Sequence, residues 1–278
     1  MRDLFRISVL IVCLVFVVPA SANDKTIIMG YKAIAKQPLI GDAENNAGLY
    51  KDLFSQAAAK IGYQLKIVRI PKKRLHFELA QGNVDFYPGS SFSQKRADYL
   101  YYLPNGLQTK EVLVSLLEQP EITDMNAAKG TLIVELGSSK LEWDQLYPSI
   151  NIVQLGKLSL DTVIKGLKAR RGDFYIADIE IVDHYKKQHQ LNSYADIGIR
   201  IHYQAINKQF IPMNMGFSRR SRLFSEQPNH AFDPEKRVSI DNFTTVVEKR
   251  SVAYQFHQAL EEMRKQGETQ KLYEKYFK

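Results

Sequence analysis

Residues 82–99 read GNVDFYPGSSFSQKRADY, and this stretch decides how the rest of the chain is interpreted. Val84 to Tyr87, which is apolar except for Asp85, is interpreted as a short strand. Gly89 to Ser91 is typical of a turn, and Arg96 follows on a short predicted helix. The turn and the arginine therefore lie beyond the carboxyl end of a strand, which is where open α/β sheets bind their ligands.

The residues before this stretch alternate between strand and helix patterns. Strands are predicted over Thr26–Tyr31 and Leu65–Ile70, and an amphipathic helix is predicted between them over Gly48–Ile61. A second helix over Arg74–Ala80 leads into the strand at Val84. Strands that alternate with helices imply a mainly parallel sheet with helices on both faces.

The same alternation restarts after Pro120, which predicts a second lobe. Its predicted strands are Thr131–Glu135, Asn151–Leu155 and Asp173–Ala177, and its predicted helices run from about Ser138, over Leu158–Ala169 and over Glu180–His189. The fold class expected from both halves is α/β.

Two continuous apolar segments suit strands that cross between the lobes. Glu111–Leu117 is the first, and Met213–Phe217 is its expected return partner. The polar segment 222–250 is expected to be a surface insertion, and an amphipathic helix over Val252–Gln266 follows it. The expected boundaries are residues 23–112 with 221–278 for lobe I and residues 113–220 for lobe II.

The first 22 residues have the pattern of a secretory signal peptide. A start with two arginines precedes an apolar run over Ile7–Val18, and the small residues Ala20–Ala22 offer a cleavage site. The run is too short to span about 30 Å of hydrocarbon as a helix, which argues against a membrane anchor. We expect a mature protein that begins near Asn23 and works in the periplasm.

The composition excludes several classes of function. Cys13 is the single cysteine and lies in the signal segment, so the mature protein has no disulfide, thiolate catalyst or cysteine-bound metal. The formal net charge is +8 for the chain and +7 without residues 1–22. Export makes nucleic acid an improbable partner despite this charge. No catalytic or phosphate-binding motif is present, so we expect no enzyme activity, no cofactor and no metal.

Several short motifs, taken in order and spacing, resemble the bacterial extracellular solute-binding proteins of family 3, the amino-acid type. They are Gly48-Leu49 with Asp52, Gly82 to Asp85, Ser91 to Arg96 with Tyr99, and Gly267 to Phe277. The resemblance implies the periplasmic binding protein-like type II fold. In that fold two α/β lobes are joined by two crossing strands, and the ligand lies in the cleft between the lobes.

The resemblance also implies which residues of the first lobe bind the ligand. Arg96 matches an arginine that clamps a ligand carboxylate, which suits the two parallel N–H donors of a guanidinium. Ser91 matches a ligand-binding hydroxyl, and Ser90 lies where backbone N–H groups would meet an anion. Alternatively, Arg96 is a solvated arginine on a short helix, and Ser90 and Ser91 are ordinary turn residues. The interval from Asp85 to Arg96 is one residue shorter than is typical of the family.

In the second lobe, Asp178 matches an acid that pairs with the ligand's ammonium, although it could equally cap the helix that follows. Gly137, Ser138 and Ser139 open a predicted helix whose N–H groups would meet a carboxylate, or they simply cap that helix.

Two further candidates come from the resemblance to family members. Tyr31 matches an aromatic residue that packs against the ligand's side chain. Pro71 to Arg74 resembles a branch of the family whose ligands are mostly unassigned, and Arg74 either faces the cleft or solvates its helix.

The expected function is capture of a small polar, carboxylate-bearing solute by hinge closure, for delivery to an ABC permease by a monomeric protein. Two alternatives share the fold. One is a periplasmic dehydratase resembling cyclohexadienyl dehydratase, with Glu135 or Glu142 as its acid. The other is a ligand-loaded partner of a membrane sensor. Prephenate turnover would favour the dehydratase, and tight binding without turnover would favour transport or sensing.

Overall fold

The computed structural model describes residues 25–278, so the predicted signal segment lies outside the described residues. Two five-stranded sheets organise this part of the chain. Its strands are β1 (Thr26–Lys32), β2 (Gln64–Ile70), β3 (Phe86–Tyr87), β4 (Leu100–Thr109), β5 (Glu111–Leu116), β6 (Gly130–Glu135), β7 (Ile150–Leu155), β8 (Phe174–Asp178), β9 (Ile199–His202), β10 (Ile211–Ser218), β11 (Glu226–Pro228) and β12 (Thr245–Val247).

Helices cover the faces of both sheets, as the alternating sequence pattern predicts. The α-helices are α1 (Leu49–Lys60), α2 (Lys72–Gln81), α3 (Gln94–Ala97), α4 (Trp143–Leu146), α5 (Leu160–Lys168), α6 (Ile179–Gln188), α7 (Val252–Lys265) and α8 (Glu268–Phe277). Single 3₁₀ turns lie at Met125–Ala127, Ser139–Glu142 and Tyr194–Ile197. No helix within residues 25–278 is long and apolar enough to cross a membrane.

Each sheet mixes parallel and antiparallel pairs. The first sheet has the order β2-β1-β3-β10-β4, and the second has the order β7-β6-β8-β5-β9. In the first, β1 runs parallel to β2 and β3, while β10 is antiparallel to its two neighbours. In the second, β6 runs parallel to β7 and β8, while β5 is antiparallel to its two neighbours. The two-lobed α/β fold is confirmed.

The core of lobe I is built around phenylalanine side chains from three elements. Phe54 of α1, Phe86 of β3 and Phe256 of α7 are fully buried, with ring centroids 4.9 to 5.9 Å apart. α1 presents its apolar positions to this core at helical spacing, and Asp52 lies on its other side. The amino-terminal strands and the carboxy-terminal helices thus share one core, which makes lobe I discontinuous in sequence.

The chain crosses between the sheets at Lys110 and again between His202 and Ile211. Thr109 and Ile211 are register partners at the ends of β4 and β10, so the two crossings lie side by side. The expected boundaries at residues 112 and 220 therefore move to these positions. The second boundary moves because Met213, Met215 and Phe217 of β10 are buried in the core of lobe I.

The segment 222–250, expected as a surface insertion, contains a small antiparallel sheet of β11 and β12. Phe243 anchors it to lobe I: its side chain is buried, and its ring stacks on Tyr101 at 4.8 Å. The sequence pattern missed this anchor because the apolar residues of the segment are irregularly spaced and match neither a helix nor a strand period.

Candidate functional site

A cleft of about 500 Å³ lies between the two lobes. Its lining includes the residues that end four parallel strands: Lys32 of β1, Tyr87 of β3, Glu135 of β6 and Asp178 of β8. The carboxyl ends of both sheets therefore face the same space, and this geometry agrees with the general rule for open α/β sheets.

Arg96 reaches across this cleft from lobe I. It lies on α3, its side chain is largely buried, and it donates a hydrogen bond of 2.6 Å to the carbonyl oxygen of Gly137 in lobe II. Among residues 25–278, no carboxylate pairs with its guanidinium. A buried guanidinium with one neutral acceptor leaves N–H donors that an anion could satisfy.

Ser90 and Ser91 line the cleft near Arg96. The backbone N–H of Ser90 donates to the carbonyl of Asn214 on β10, so it is not free to bind an anion. The Ser90 hydroxyl is buried against Gly216 of β10 and lies close to the Tyr102 hydroxyl of β4.

Asp178 lies at the opposite edge of the cleft, between β8 and α6. Its side chain makes no capping hydrogen bond to α6; instead it forms an ion pair with the ammonium of Lys36 from lobe I. Burial would raise the pKa of Asp178, but the nearby Lys36 ammonium lowers it below its usual value. Burial would likewise lower the pKa of Lys36, but Asp178 raises it well above its usual value. Both groups are therefore charged at neutral pH.

A second group of charges bridges the lobes around Glu135. The ammonium of Lys32 lies 3.1 Å from the Glu135 carboxylate and donates 3.0 Å to the carbonyl of Leu158. Lys72, at the start of α2, lies 3.6 Å from the same carboxylate. Burial lowers the pKa of Lys32, and burial with nearby cations lowers the pKa of Lys72 to about 7. The Glu135 carboxylate thus interacts with the ammonium groups of two lysines.

The turn after β6 brings lobe II against lobe I. Gly137 adopts a φ of +87°, and a Cβ atom there would lie 2.8 Å from the backbone nitrogen of Lys73. Such close approach requires glycine. The Ser138 N–H donates to the carbonyl of Glu135, and its hydroxyl accepts from the Lys140 N–H. Ser138 therefore caps the 3₁₀ turn, and Ser139 lies beside it in the cleft lining. The helix expected from about Ser138 is observed as this turn followed by the one-turn helix α4.

Three of the predicted site residues lie outside the cleft lining: Gly137, described above, Tyr31 and Arg74. Tyr31 is fully buried in the core of lobe I, with its ring under the guanidinium of Arg69. Its side chain points to the core because alternate residues of β1 face opposite sides of the sheet. Arg74 is 71% exposed and pairs with Glu78 along α2, so it is a solvated helix residue.

Sequence reasoning missed the lysines of the cleft, which are Lys32, Lys36, Lys72 and Lys140. Lys140 lies 2.6 Å from the carboxylate of Glu111. The signal that could have found Lys32 and Lys72 is their position: one ends β1, and the other directly follows the carboxyl end of β2. Lys36 carries no such signal, because it lies in a loop.

Two α/β lobes, joined by paired crossings and enclosing a cleft at the carboxyl edges of their sheets, form the periplasmic binding protein-like type II fold. Residues 143–278, just under half of the chain, match the family model described as bacterial extracellular solute-binding proteins, family 3. This match agrees with the family that the sequence resembles. No curated protein matches the sequence.

Solved structures share the fold over most of the chain. An ancestral arginine-binding protein bound to arginine superposes with a TM-score of 0.65 at 18% identity, over 91% of this chain and 99% of that one. An ancestral amino acid-binding protein, described as a precursor of cyclohexadienyl dehydratase, gives 0.62 at 17% identity, over 91% and 96%. A histidine kinase sensor domain similar to periplasmic binding proteins gives 0.64 at 15% identity, over 91% and 96%.

Proposed function

We propose that the protein captures a small polar solute carrying a carboxylate, an amino acid or a related compound, in the cleft between its lobes. The observation that carries this proposal is Arg96, a largely buried guanidinium without a carboxylate partner among residues 25–278. A ligand carboxylate would accept two parallel N–H bonds from it. Ser90 and Ser91 line the same cavity.

We propose that the two lobes close over the solute by rotation about a hinge. The two crossings lie side by side, so rotation there would move one lobe relative to the other. A solute that contacts both lobes stabilises the closed arrangement by its differential affinity for that state. Arg96 of lobe I and Ser139 of lobe II both line the cavity, so one solute could contact both lobes.

We place the protein in the periplasm and propose that it delivers its solute to an ABC permease. This step rests on the family description, which names extracellular solute-binding proteins. A role beside a membrane sensor uses the same cleft and the same closing motion. Neighbouring genes for a permease and an ATPase would favour import over sensing.

Binding without turnover is the activity we propose. A dehydratase of this fold would need a protonated acid in the cleft. Glu135 does line the cleft, but its carboxylate is engaged by the ammonium groups of Lys32 and Lys72, at 3.1 and 3.6 Å. Glu142, the other candidate acid, is not among the lining residues. Incubation with prephenate should therefore leave it unchanged, as followed by ultraviolet absorbance.

The proposal is tested by thermal unfolding with amino acids, dicarboxylates and simple organic acids, because a bound solute raises the unfolding temperature by mass action. At least one carboxylate should stabilise the wild-type protein. The variant Arg96→Ala should lose this stabilisation, and Arg96→Lys should recover little of it, since lysine lacks the planar pair of donors.

The matched control is Arg250→Ala, which removes an arginine that is 85% exposed and distant from the cleft lining. It should keep the full ligand-induced shift. Equal ligand-induced shifts in the Arg96→Ala and wild-type proteins would contradict the assignment of the carboxylate to Arg96.

A further inference from the structure

The Asp178 carboxylate already has an ammonium partner from the protein itself. Lys36 projects from the loop after β1, and its ammonium forms an ion pair with Asp178 across the cleft. Both charges are strengthened by the contact, because the pKa of Lys36 rises and that of Asp178 falls. The position that a ligand ammonium would take beside Asp178 is therefore filled by a side chain.

The loop holds Lys36 firmly in this position. The backbone N–H of Lys36 donates to the carbonyl of Ile40 at 2.8 Å, and the carbonyl of Lys36 accepts from the Ile40 N–H at 2.9 Å. Ile40 is itself fully buried in the core of lobe I. A free ammonium that displaced Lys36 would form the same kind of ion pair, while the lysine charge would lose its partner in a partly buried site.

The remaining charges of the cleft leave an excess of positive charge. Lys140 is balanced by Glu111, but Lys32 and Lys72 share one carboxylate, and Arg96 has none among residues 25–278. A fourth lining carboxylate, Asp161, is more than half exposed and faces His189 and Tyr185. The interior of the cleft thus carries one uncompensated positive charge on Arg96 and, below about pH 7, a second on the Lys32–Lys72 pair.

We propose that the solute of this cleft is an anion without an ammonium group, such as a monocarboxylate or a dicarboxylate, and that Lys36 excludes the corresponding amino acids. The inference rests on the proposed function, since it concerns the ligand of the same cleft. An anion neutralises the excess charge near Arg96 and Lys72. An ammonium on the same solute is repelled by the positive charges of Lys36 and Lys72, and Asp178 is already paired with Lys36. Binding of a solute that carries an ammonium is therefore disfavoured.

The cavity volume is compatible with this class of solute. About 500 Å³ is at the lower part of the range for small-molecule sites and leaves room for a solute of up to roughly a dozen heavy atoms. Size alone therefore does not distinguish an organic acid from the amino acid of the same carbon skeleton. Charge is the property that separates them.

The test compares matched pairs of ligands that differ by one amino group. The probes are glutarate with glutamate, succinate with aspartate, 4-methylpentanoate with leucine, and 3-phenylpropanoate with phenylalanine. The full protein is unfolded and refolded to remove co-purified solute, and each ligand is titrated by calorimetry. In the pair that binds most tightly, the acid without the amino group should bind at least about tenfold more tightly than its amino acid.

A variant tests the role of Lys36 directly. Lys36→Met keeps the length of the side chain but removes the ammonium, which leaves Asp178 free to accept a ligand ammonium. The preference within the best pair should then shift toward the amino acid by about tenfold or more. Lys66→Met, which removes an exposed lysine on β2, should leave the preference unchanged.

The outcomes separate this inference from the proposed function. Tighter binding of the amino acid by the wild-type protein overturns the inference but leaves carboxylate capture in place. An unchanged preference in a folded Lys36→Met protein overturns the role of Lys36. Absence of binding by all eight probes contradicts the proposed function itself.

Discussion

The groups that Arg96 and Asp178 already contact decide what each side chain can still bind in the cleft. The resemblance to the family predicts that one binds a carboxylate and the other an ammonium. The structure brings both to one cavity, with Arg96 free of carboxylate partners in residues 25–278 and Asp178 paired with Lys36. The same two residues thus favour an anionic solute over a zwitterion.

The charge state of Lys72 should make solute binding depend on pH. Its pKa is lowered to about 7, chiefly by burial and also by the cations Lys32, Arg96 and Lys36, while Glu135 acts in the opposite direction. Lys72 is therefore charged below pH 7 and neutral above it. Affinity for an anion should be highest below pH 7 and should fall by up to about tenfold per pH unit above it.

Calorimetric titration with the best carboxylate between about pH 6 and pH 8.5 measures this dependence. Lys72→Met should flatten the profile, and the exposed control Lys66→Met should retain it. A wild-type affinity that stays constant over this range would contradict the role given to Lys72.

Glu180 should make the stability of the fold depend on pH. Its side chain is 1% exposed, one carboxyl oxygen accepts from the Thr109 hydroxyl at 2.6 Å, and the other has no partner within residues 25–278. Burial and the nearby Asp178 raise its pKa to about 7 from a model-compound value of 4.5. Between these two values the native state holds a proton that the unfolded chain has lost, so stability falls as pH rises.

Glu180→Gln should remove this loss. Its free energy of unfolding should exceed that of the wild type by about 3 kcal/mol above pH 7, and the difference should vanish below about pH 4.5. Denaturant unfolding at several pH values measures it, with the exposed Glu44→Gln as control. A difference that does not change with pH would show that Glu180 does not titrate in this way.

The turn after β6 is the element of lobe II that contacts the backbone of lobe I at Gly137. Gly137→Ala places a Cβ atom within 2.8 Å of the Lys73 backbone nitrogen and forces an alanine to a φ of +87°. Since the clash exists only where the lobes touch, solute affinity should fall by about tenfold or more. Gly156→Ala, at a turn where a Cβ atom meets nothing within 4 Å, is the control and should bind normally. Normal affinity of Gly137→Ala would contradict close contact of the lobes at this turn.

The elements were largely predictable from the sequence because hydrophobic periodicity is a local signal. β1, α1, β2 and α2 lie within two residues of their predicted bounds. The turn at Ser139–Glu142 and the anchor Phe243 were not predicted, because each depends on contacts with residues distant in sequence. In the cleft, Arg96 and Asp178 were found through motif resemblance, whereas Lys36 requires knowledge of where its loop packs.

At the scale of the whole molecule, the lobes meet through charged contacts distributed along the cleft. Lys36 pairs with Asp178, Lys32 and Lys72 approach Glu135, and Arg96 reaches a lobe II carbonyl. Every cation in this set belongs to lobe I, and every acceptor belongs to lobe II. Closure therefore brings opposite charges together, and a bound anion would strengthen the arrangement where positive charge is in excess.

The central claim is that a carboxylate solute bridges the lobes at Arg96. A crystal structure of the protein with the carboxylate that raises its unfolding temperature most tests this claim directly. The account predicts both carboxylate oxygens within hydrogen-bond distance of the Arg96 guanidinium, inside the cleft, with the Lys36–Asp178 pair intact. A solute bound elsewhere would contradict this claim, and one whose ammonium has replaced Lys36 beside Asp178 would contradict the inference about Lys36.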